Sequence, residues 1–459
     1  MKIIAGLNDS IRREGRAARR EQSVKTAVRG DVLTFRGNPF REAERDSLVF
    51  QRDALVVMEN GRIAAWGPAG ELLPSLPPDA RIEHYPDHLI LPGFIDCHVH
   101  YPQTEMMAAF GEKLLDWLNH YTFVTEQGFA DAERAREVAR VFLGEQLRNG
   151  VTTGCVFGTV HAASVDALFE EASRHDLRIL AGKVCMDRNA PAALLDTPLT
   201  AYEESRALIE RWHGKGRAEY VITPRFAPTS SHGQLEMLGA LAAEFPDIAI
   251  QSHISENLDE IAWVRQLFPG CRDYAGVYQR YGLLRPRAIY GHGVHLSDAE
   301  LEMLHDSGAS LAHCPTSNFF LGSGSLNLRR CVEAEKPVKL GLGTDLGAGT
   351  SFSMLQTMNA AYMASQTHGT PLTAVQAFYL ATRGGAEALG IADKVGGIEA
   401  GMEADLAVLD LRSTPLLDFR MRHVRDLSEA LFVQMMLGDD RAIAATYAAG
   451  AAVYRRDER

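Results

Sequence analysis

Between residues 90 and 344 the chain repeats one pattern eight times: a short apolar run of β-type residues, then a polar or helix-like stretch. The runs cover 90–97, 151–157, 178–185, 220–226, 248–253, 288–292, 309–313 and 338–344. Among the intervening stretches, 131–148 carries Val138, Phe142 and Glu145 at helical spacing, and 234–245 reads the same way. A third, 298–306, opens with the capping box Ser297-x-x-Glu300. Eight strands alternating with helices over roughly 250 to 300 residues predict an α/β fold, a TIM-like (β/α)8 barrel. The competing architecture is an open doubly wound sheet, but no G-x-G-x-x-G opens a helix here.

The flanks have a different character. Residues 1–24 are arginine-rich among small polar residues and read as a solvated extension. Segments 28–35 and 54–67 read as short strands, with Asn60-Gly61 as a hairpin turn. Beyond the eighth run, helices are expected over 353–366 and 373–389, then β-type sequence over 404–410 and 444–454. The two ends are therefore expected to pair into one small β-sandwich domain beside the barrel. The division is 1–24 extension, 25–90 first part of the sandwich, 91–395 barrel, and 396–459 second part.

Of 459 residues, 46% are hydrophobic and 23% charged, ordinary values for a globular protein, and the formal net charge of -12 argues against a nucleic-acid partner. No apolar run approaches the roughly 18 residues that a membrane span needs. The amino-terminal stretch turns polar too early for a signal peptide. Six cysteines without a C-x-x-C pair suggest neither a disulfide framework nor a thiolate zinc site, so a cytoplasmic location is expected.

Chemically capable side chains gather at the carboxyl ends of the barrel strands, where barrel enzymes build active sites. His98 and His100 end the first run, and in a strand residues two apart point the same way. Arg225 ends the fourth run, His253 the fifth, His292 the sixth and Asp345 the eighth. Imidazole nitrogens and one carboxylate converging at one mouth suit a divalent metal such as zinc, with a position open for water. His313 ends the seventh run and reads as packing or as support, as does His295. Cys97 alternates away from the histidines. The glycines of Gly341-Leu342-Gly343 read as permitting close backbone approach, and Met354 to Met363 read as core. Glu256, three residues past His253, can carry a proton between a metal-activated water and a substrate ring nitrogen. The bland alternative is a surface glutamate at a helix start.

The run Pro92-Gly93-Phe94-Ile95-Asp96-Cys97-His98-Val99-His100 resembles the opening motif of the metal-dependent amidohydrolase superfamily. Gly396-Gly397-Ile398-Glu399-Ala400-Gly401-Met402-Glu403-Ala404-Asp405-Leu406 is similar to its return to the sandwich. A narrower resemblance, to the guanine deaminase branch, rests on His100-Tyr101-Pro102-Gln103-Thr104, on Leu114 to Phe123, and on Lys183-Val184-Cys185-Met186-Asp187. It rests also on Thr223-Pro224-Arg225-Phe226, on Gln251 to Asn257, and on Gly341 to Asp345. Val124, read as a loop residue, stands where that branch would have proline.

The resemblance implies one zinc per subunit held by His98, His100, His253 and Asp345, with His292 ligating or hydrogen-bonding the water. It implies that Gln103 and Arg225 read the polar edge of a purine, that Phe226 walls the pocket, and that His100, His253, Glu256 and Asp345 also face the substrate. The activity implied is hydrolytic deamination of guanine to xanthine and ammonia, with Glu256, Asp345 and His292 catalytic and a homodimer as the assembly. The rival expectations are a related deaminase or chlorohydrolase acting on 8-oxoguanine, cytosine or a triazine, and a scaffold without catalysis. A binuclear site with a carbamylated lysine is disfavoured, because Arg225 and not lysine ends the fourth run.

Overall fold

The computed structural model describes residues 25–111 and 113–456; the expected extension, 1–24, lies outside them. The first strands are β1 (Thr26–Phe35), β2 (Leu48–Glu59), β3 (Arg62–Pro68) and β4 (Arg81–Pro92). β1 and β2 pair antiparallel, β3 returns on β2, and β4 lies parallel to β1. The β2–β3 turn is Asn60-Gly61, with φ of 53° and 77°, the left-handed pair that matches strand twist in a tight hairpin.

The barrel follows as β5 (Phe94–His100), β6 (Val151–Phe157), β7 (Arg178–Gly182), β8 (Val184–Cys185), β9 (Glu219–Pro224), β10 (Ala249–Ile254), β11 (Ala288–His292), β12 (Ser310–His313) and β13 (Lys339–Leu342). Its strands are all parallel, in the order β5-β6-β7-β9-β10-β11-β12-β13, with β8 continuing β7 past Lys183 to pair with β9. This is the (β/α)8 barrel that the alternation predicts. The ends of the ladder are joined by side chain and turn: Asp345 N–H donates to the His98 carbonyl at 2.8 Å. The buried Asp96 carboxylate accepts the Thr344 N–H at 2.9 Å and the Thr344 hydroxyl.

Three late strands, β14 (Leu406–Asp410), β15 (Ile443–Ala448) and β16 (Ala451–Arg455), complete the other sheet, in the order β16-β15-β14-β4-β1-β2-β3. The small β region is thus one mixed seven-stranded sheet drawn from both ends of the chain, with Val28, Val56, Ile90, Leu406 and Val408 in its core.

Two expectations about elements need correction. The apolar run 90–97 is not one strand. Gly93 N–H donates to Asp405 in the seven-stranded sheet, and Phe94 N–H donates to Gly150 in the barrel, so hydrogen bonding changes sheets at this glycine. A Cβ at Gly93 would fall 2.1 Å from the Thr152 hydroxyl, so no larger residue fits the crossing. The helix expected over 373–389 is two, Ala374–Leu380 and Arg383–Leu389. Thr382 between them leaves helical geometry (φ -132°, ψ -96°) and its hydroxyl donates to the Phe378 carbonyl. The break seats Gly385 against Ile95 and Cys97 of β5. Elsewhere the signals hold: Ala132–Arg148 starts at the Asp131 cap, and Asp298–Ser307 opens on the Ser297–Glu300 capping box.

At the amino-terminal end of the barrel a buried ionic network ties the two sheets together. Arg178 binds Glu403 and Glu219, Arg217 binds Glu403 and Asp405, and Lys394 and Arg287 also hold Glu219.

Candidate active site

His98 and His100 both leave the carboxyl end of β5 towards the barrel mouth, as the strand period requires. His253 lies in β10, one residue before its end, His292 ends β11, and Asp345 follows β13 by three residues. His292 and Asp345 take left-handed backbone conformations (φ 72° and 47°), unusual for side-chain-bearing residues and a sign of backbone turned to aim a group. Room for the His98 ring comes from two glycines. A Cβ at Gly291 would sit 2.5 Å from its Cε1, and one at Gly343 would sit 2.8 Å from its Cβ.

His98, His253, His292 and Asp345 each offer one donor atom, and these atoms lie within 4.8 Å of one another. His100 joins them: its Nε2 is 3.1 Å from His253 Nε2 and 3.5 Å from Asp345 Oδ1, while His98 Nε2 is also 3.5 Å from that oxygen. The cluster makes no sense as a set of hydrogen bonds. His98 Nε2 and His292 Nε2 are buried without a hydrogen-bond partner, a state that costs about 1–3 kcal/mol per group. Burial, and then the neighbouring cationic forms, hold His100 and His253 well below the usual imidazole range, so both are neutral with free lone pairs. Burial alone would raise Asp345, but the imidazoles of His98, His292 and His253 outweigh it and bring it to about 2. Neutral nitrogens from His98, His100 and His253 and an ionised carboxylate around one point are the donor set of a divalent metal ion, and the residues present fit one; His292, raised by the Glu256 and Asp345 carboxylates against its burial, stands beside them.

Beside the cluster opens a pocket. Leu114, Trp117, Leu118, Phe226 and Leu321 give it apolar walls, and Gln103, Arg225 and Glu256 supply polar groups. Apolar walls with a few polar groups among them suit a flat heterocycle. Glu256 is no surface residue: it is 3% exposed. Its Oε2 lies 3.5 Å from His292 Nε2, and its Oε1 accepts the Ser323 hydroxyl at 2.9 Å. Burial pushes its carboxyl up to about 7, which suits a group that must both hold and release a proton near neutrality. Its backbone N–H donates to Glu260, the capping-box residue of helix Leu258–Leu267, so the turn carrying it is anchored. His295 acts as support, bonding the Ser323 carbonyl at 2.8 Å.

His313 and Cys97 stand apart. His313 is fully buried, with burial holding it down to about 3, and the Cys97 thiol donates away from the cluster to Gly385. Val124 is an exposed residue of the helix Phe123–Glu126, not of a loop. Three residues at the site escape a reading of the sequence. Asn318 bonds His292 Nδ1 at 2.9 Å, Ser323 holds Glu256, and Glu126 receives Arg225. Only Glu126 carried a signal, its place three residues after the run ending at Phe123.

The sequence pattern of the amidohydrolase family matches residues 89–453, and the chain belongs to that family. Within it the chain groups with the guanine deaminases. It is 48% identical to the guanine deaminase of Escherichia coli (strain K12) over 440 residues, 95% of this chain and 99% of that protein. The solved structure of the E. coli enzyme superposes with a TM-score of 0.92 over 94% of this chain and 100% of that one. The guanine deaminase of Bradyrhizobium japonicum, 36% identical, gives 0.91 over 95% and 100%. That of C. acetobutylicum, 29% identical, gives 0.83 over 94% and 100%, and its structure has guanine bound in the active site.

Proposed function

We propose that this chain is an enzyme that hydrolyses guanine to xanthine and ammonia. The observation that carries the reading is that buried Glu256, 3.5 Å from His292 of the histidine–aspartate cluster, lines one pocket with Arg225 and Gln103. We assign His98, His100, His253 and Asp345 as ligands of one zinc ion per subunit, with His292 close enough to join them or to hold water. When bound, zinc supplies acidification of water, which makes hydroxide available near neutral pH.

The chain's own groups do the rest. Oxygen adds to C2 of the base, the C2–N bond to the exocyclic amine breaks, and ammonia leaves. Glu256 carries a proton to the ring nitrogen beside C2, so negative charge does not accumulate there. Asp345 takes the proton from water and, with His292, passes it towards the departing amine. Arg225 donates to the carbonyl oxygen, where adenine would present a donor of its own, and Phe226 packs against the ring. His100 and His253 close the floor under the ring.

A homodimer is the assembly that the resemblance implies, and sedimentation of the purified protein tests it. All six cysteines are unpaired thiols, in keeping with the reducing cytoplasm as its compartment. Ammonia release from a panel of guanine, 8-oxoguanine, cytosine and a triazine, with and without chelator, tests the activity. Guanine is expected to lead the panel, and the chelator to stop release; inert guanine overturns the reading.

A further inference from the structure

The short helix Tyr274–Arg280 plays no part in the mechanism above, yet two of its side chains reach the end of β10, the strand that carries His253. Tyr274 and Tyr278 lie four residues apart and share one face of the helix. Their rings stack at 5.8 Å and 22°, and Tyr278 also packs on Tyr290 of β11 at 4.8 Å. Both are buried. Phenylalanine would serve that packing as well; the hydroxyls do something else.

The Tyr278 hydroxyl donates to the backbone carbonyl of His253 at 2.8 Å. It also meets the Ser252 hydroxyl at 2.9 Å, which donates to the Pro224 carbonyl at 2.7 Å. Regular pairing of β10 with β9 covers only Ala249 and Ile250, so His253 has left that ladder, and Tyr278 supplies the donor that a neighbouring strand would. The Tyr274 hydroxyl donates to Oε1 of the fully buried Glu260 at 2.7 Å. The other oxygen, Oε2, accepts the Glu256 N–H at 2.9 Å and the Asn257 N–H at 3.1 Å. Between the two anchors stands Ser255 with φ of 48°, a left-handed conformation for a residue with a side chain. Such backbone persists only where its surroundings hold it.

We propose that Tyr274 and Tyr278 are positioning residues that fix the end of β10 at two points: Tyr278 holds His253 where it can face a metal ion, and Tyr274, through Glu260, holds the strained turn that aims Glu256. The proposal rests on the roles assigned above to His253 and Glu256 and adds what keeps them in register. The two hydroxyls therefore act on different quantities. Without the first, a metal ligand is less firmly placed. Without the second, buried Glu260 Oε1 has lost its donor and the carboxyl restraining the turn is no longer fixed. A shift of about 1 Å in a reacting group can cost on the order of 10²-fold in rate.

Tyr274→Phe and Tyr278→Phe each remove one oxygen and keep the stacked rings. Zinc affinity is read by titrating the metal-free protein against a competing chelator, and kcat and KM for guanine are read in the zinc-saturated protein. Tyr278→Phe is expected to weaken zinc binding about tenfold, with kcat within about threefold of native once saturated. Tyr274→Phe is expected to bind zinc within about threefold of native, with kcat lowered about tenfold or more and KM within about threefold. Any other pattern, including equal shifts in both variants or a fall in melting temperature alone, means that the tyrosines merely pack and overturns the proposal. Glu260→Ala gives a second measurement that does not depend on Tyr274→Phe folding by itself. Its kcat is expected to fall about tenfold or more, and adding Tyr274→Phe to it to cost less than about threefold further, because the hydroxyl has lost the group through which it acts. A larger further loss overturns the Tyr274 half. A native protein inert on guanine would instead defeat the functional reading, and the zinc titrations would still test the hold on His253.

Discussion

His253 Nδ1 lies 2.7 Å from the backbone carbonyl oxygen of Arg225. A carbonyl only accepts, so Nδ1 carries the hydrogen and Nε2 keeps its lone pair for the cluster. The same carbonyl accepts the His253 N–H at 3.3 Å, so the residue placed to read substrate also orients the ring placed to hold metal. Replacing His253 by Ala is expected to lower metal affinity by about 100-fold or more and to abolish ammonia release. Metal analysis of the purified variant checks this, and full occupancy would remove His253 from the ligand set.

Glu256 separates metal binding from turnover. In Glu256→Gln the hydrogen bond from Ser323 survives, because the amide oxygen still accepts. The proton carrier is gone, however. Metal content is expected to stay native while kcat falls by about 10²–10⁴-fold, the usual worth of a positioned acid–base group. A variant with near-native kcat would show that another group moves the proton.

The barrel and the metal cluster were legible for the same reason. Strand period and strand ends are local properties, and His98, His100, His253, His292 and Asp345 each stand at the end of a β-type run. What lay hidden was non-local. Glu126 meets Arg225 across 99 residues, Ser323 meets Glu256 across 67, and Asn318 meets His292 across 26; nothing around Ser323 or Asn318 marks them, and Glu126 has only its nearness to the run ending at Phe123. The division of 90–97 was hidden for another reason. Both halves are apolar and buried, so their pattern is the same whichever sheet they join, and only the partners of Gly93 and Phe94 distinguish them. The break at Thr382 had one local sign, the poor helix formers Gly384-Gly385, which the helix-forming residues beyond them on either side outweighed.

Gly291 gives a steric test of the cluster. Its φ is ordinary, so an added methyl meets crowding alone: the Cε1 of His98 at 2.5 Å. Gly291→Ala is expected to fold with stability lowered by about 1–3 kcal/mol, the cost of overpacking, and to lose metal affinity because the His98 ring must rotate away. Thermal melts with metal titration check both effects. Native metal affinity in this variant would mean that His98 does not need its present position.

The ionic network at the other end of the barrel predicts a pH dependence of its own. Burial alone would raise Glu219, but Lys394 and Arg287 outweigh it and bring its carboxyl to about 2. A carboxyl held below its unfolded value, roughly 4.3, stabilises the fold above that pH, and the contribution fades as pH falls towards about 2. Glu219→Gln removes this contribution and leaves Arg178, Arg287 and Lys394 short of a partner, so it is expected to cost about 3 kcal/mol at pH 7. Below about pH 4.5 the native protein loses the same support, and the gap between the two should narrow. Urea unfolding of both proteins at pH 7 and pH 3 measures it, and loss of metal at low pH affects both alike. A gap of the same size at the two pH values would place the stabilising charge elsewhere in the network, on Glu403 or Asp405 in place of Glu219.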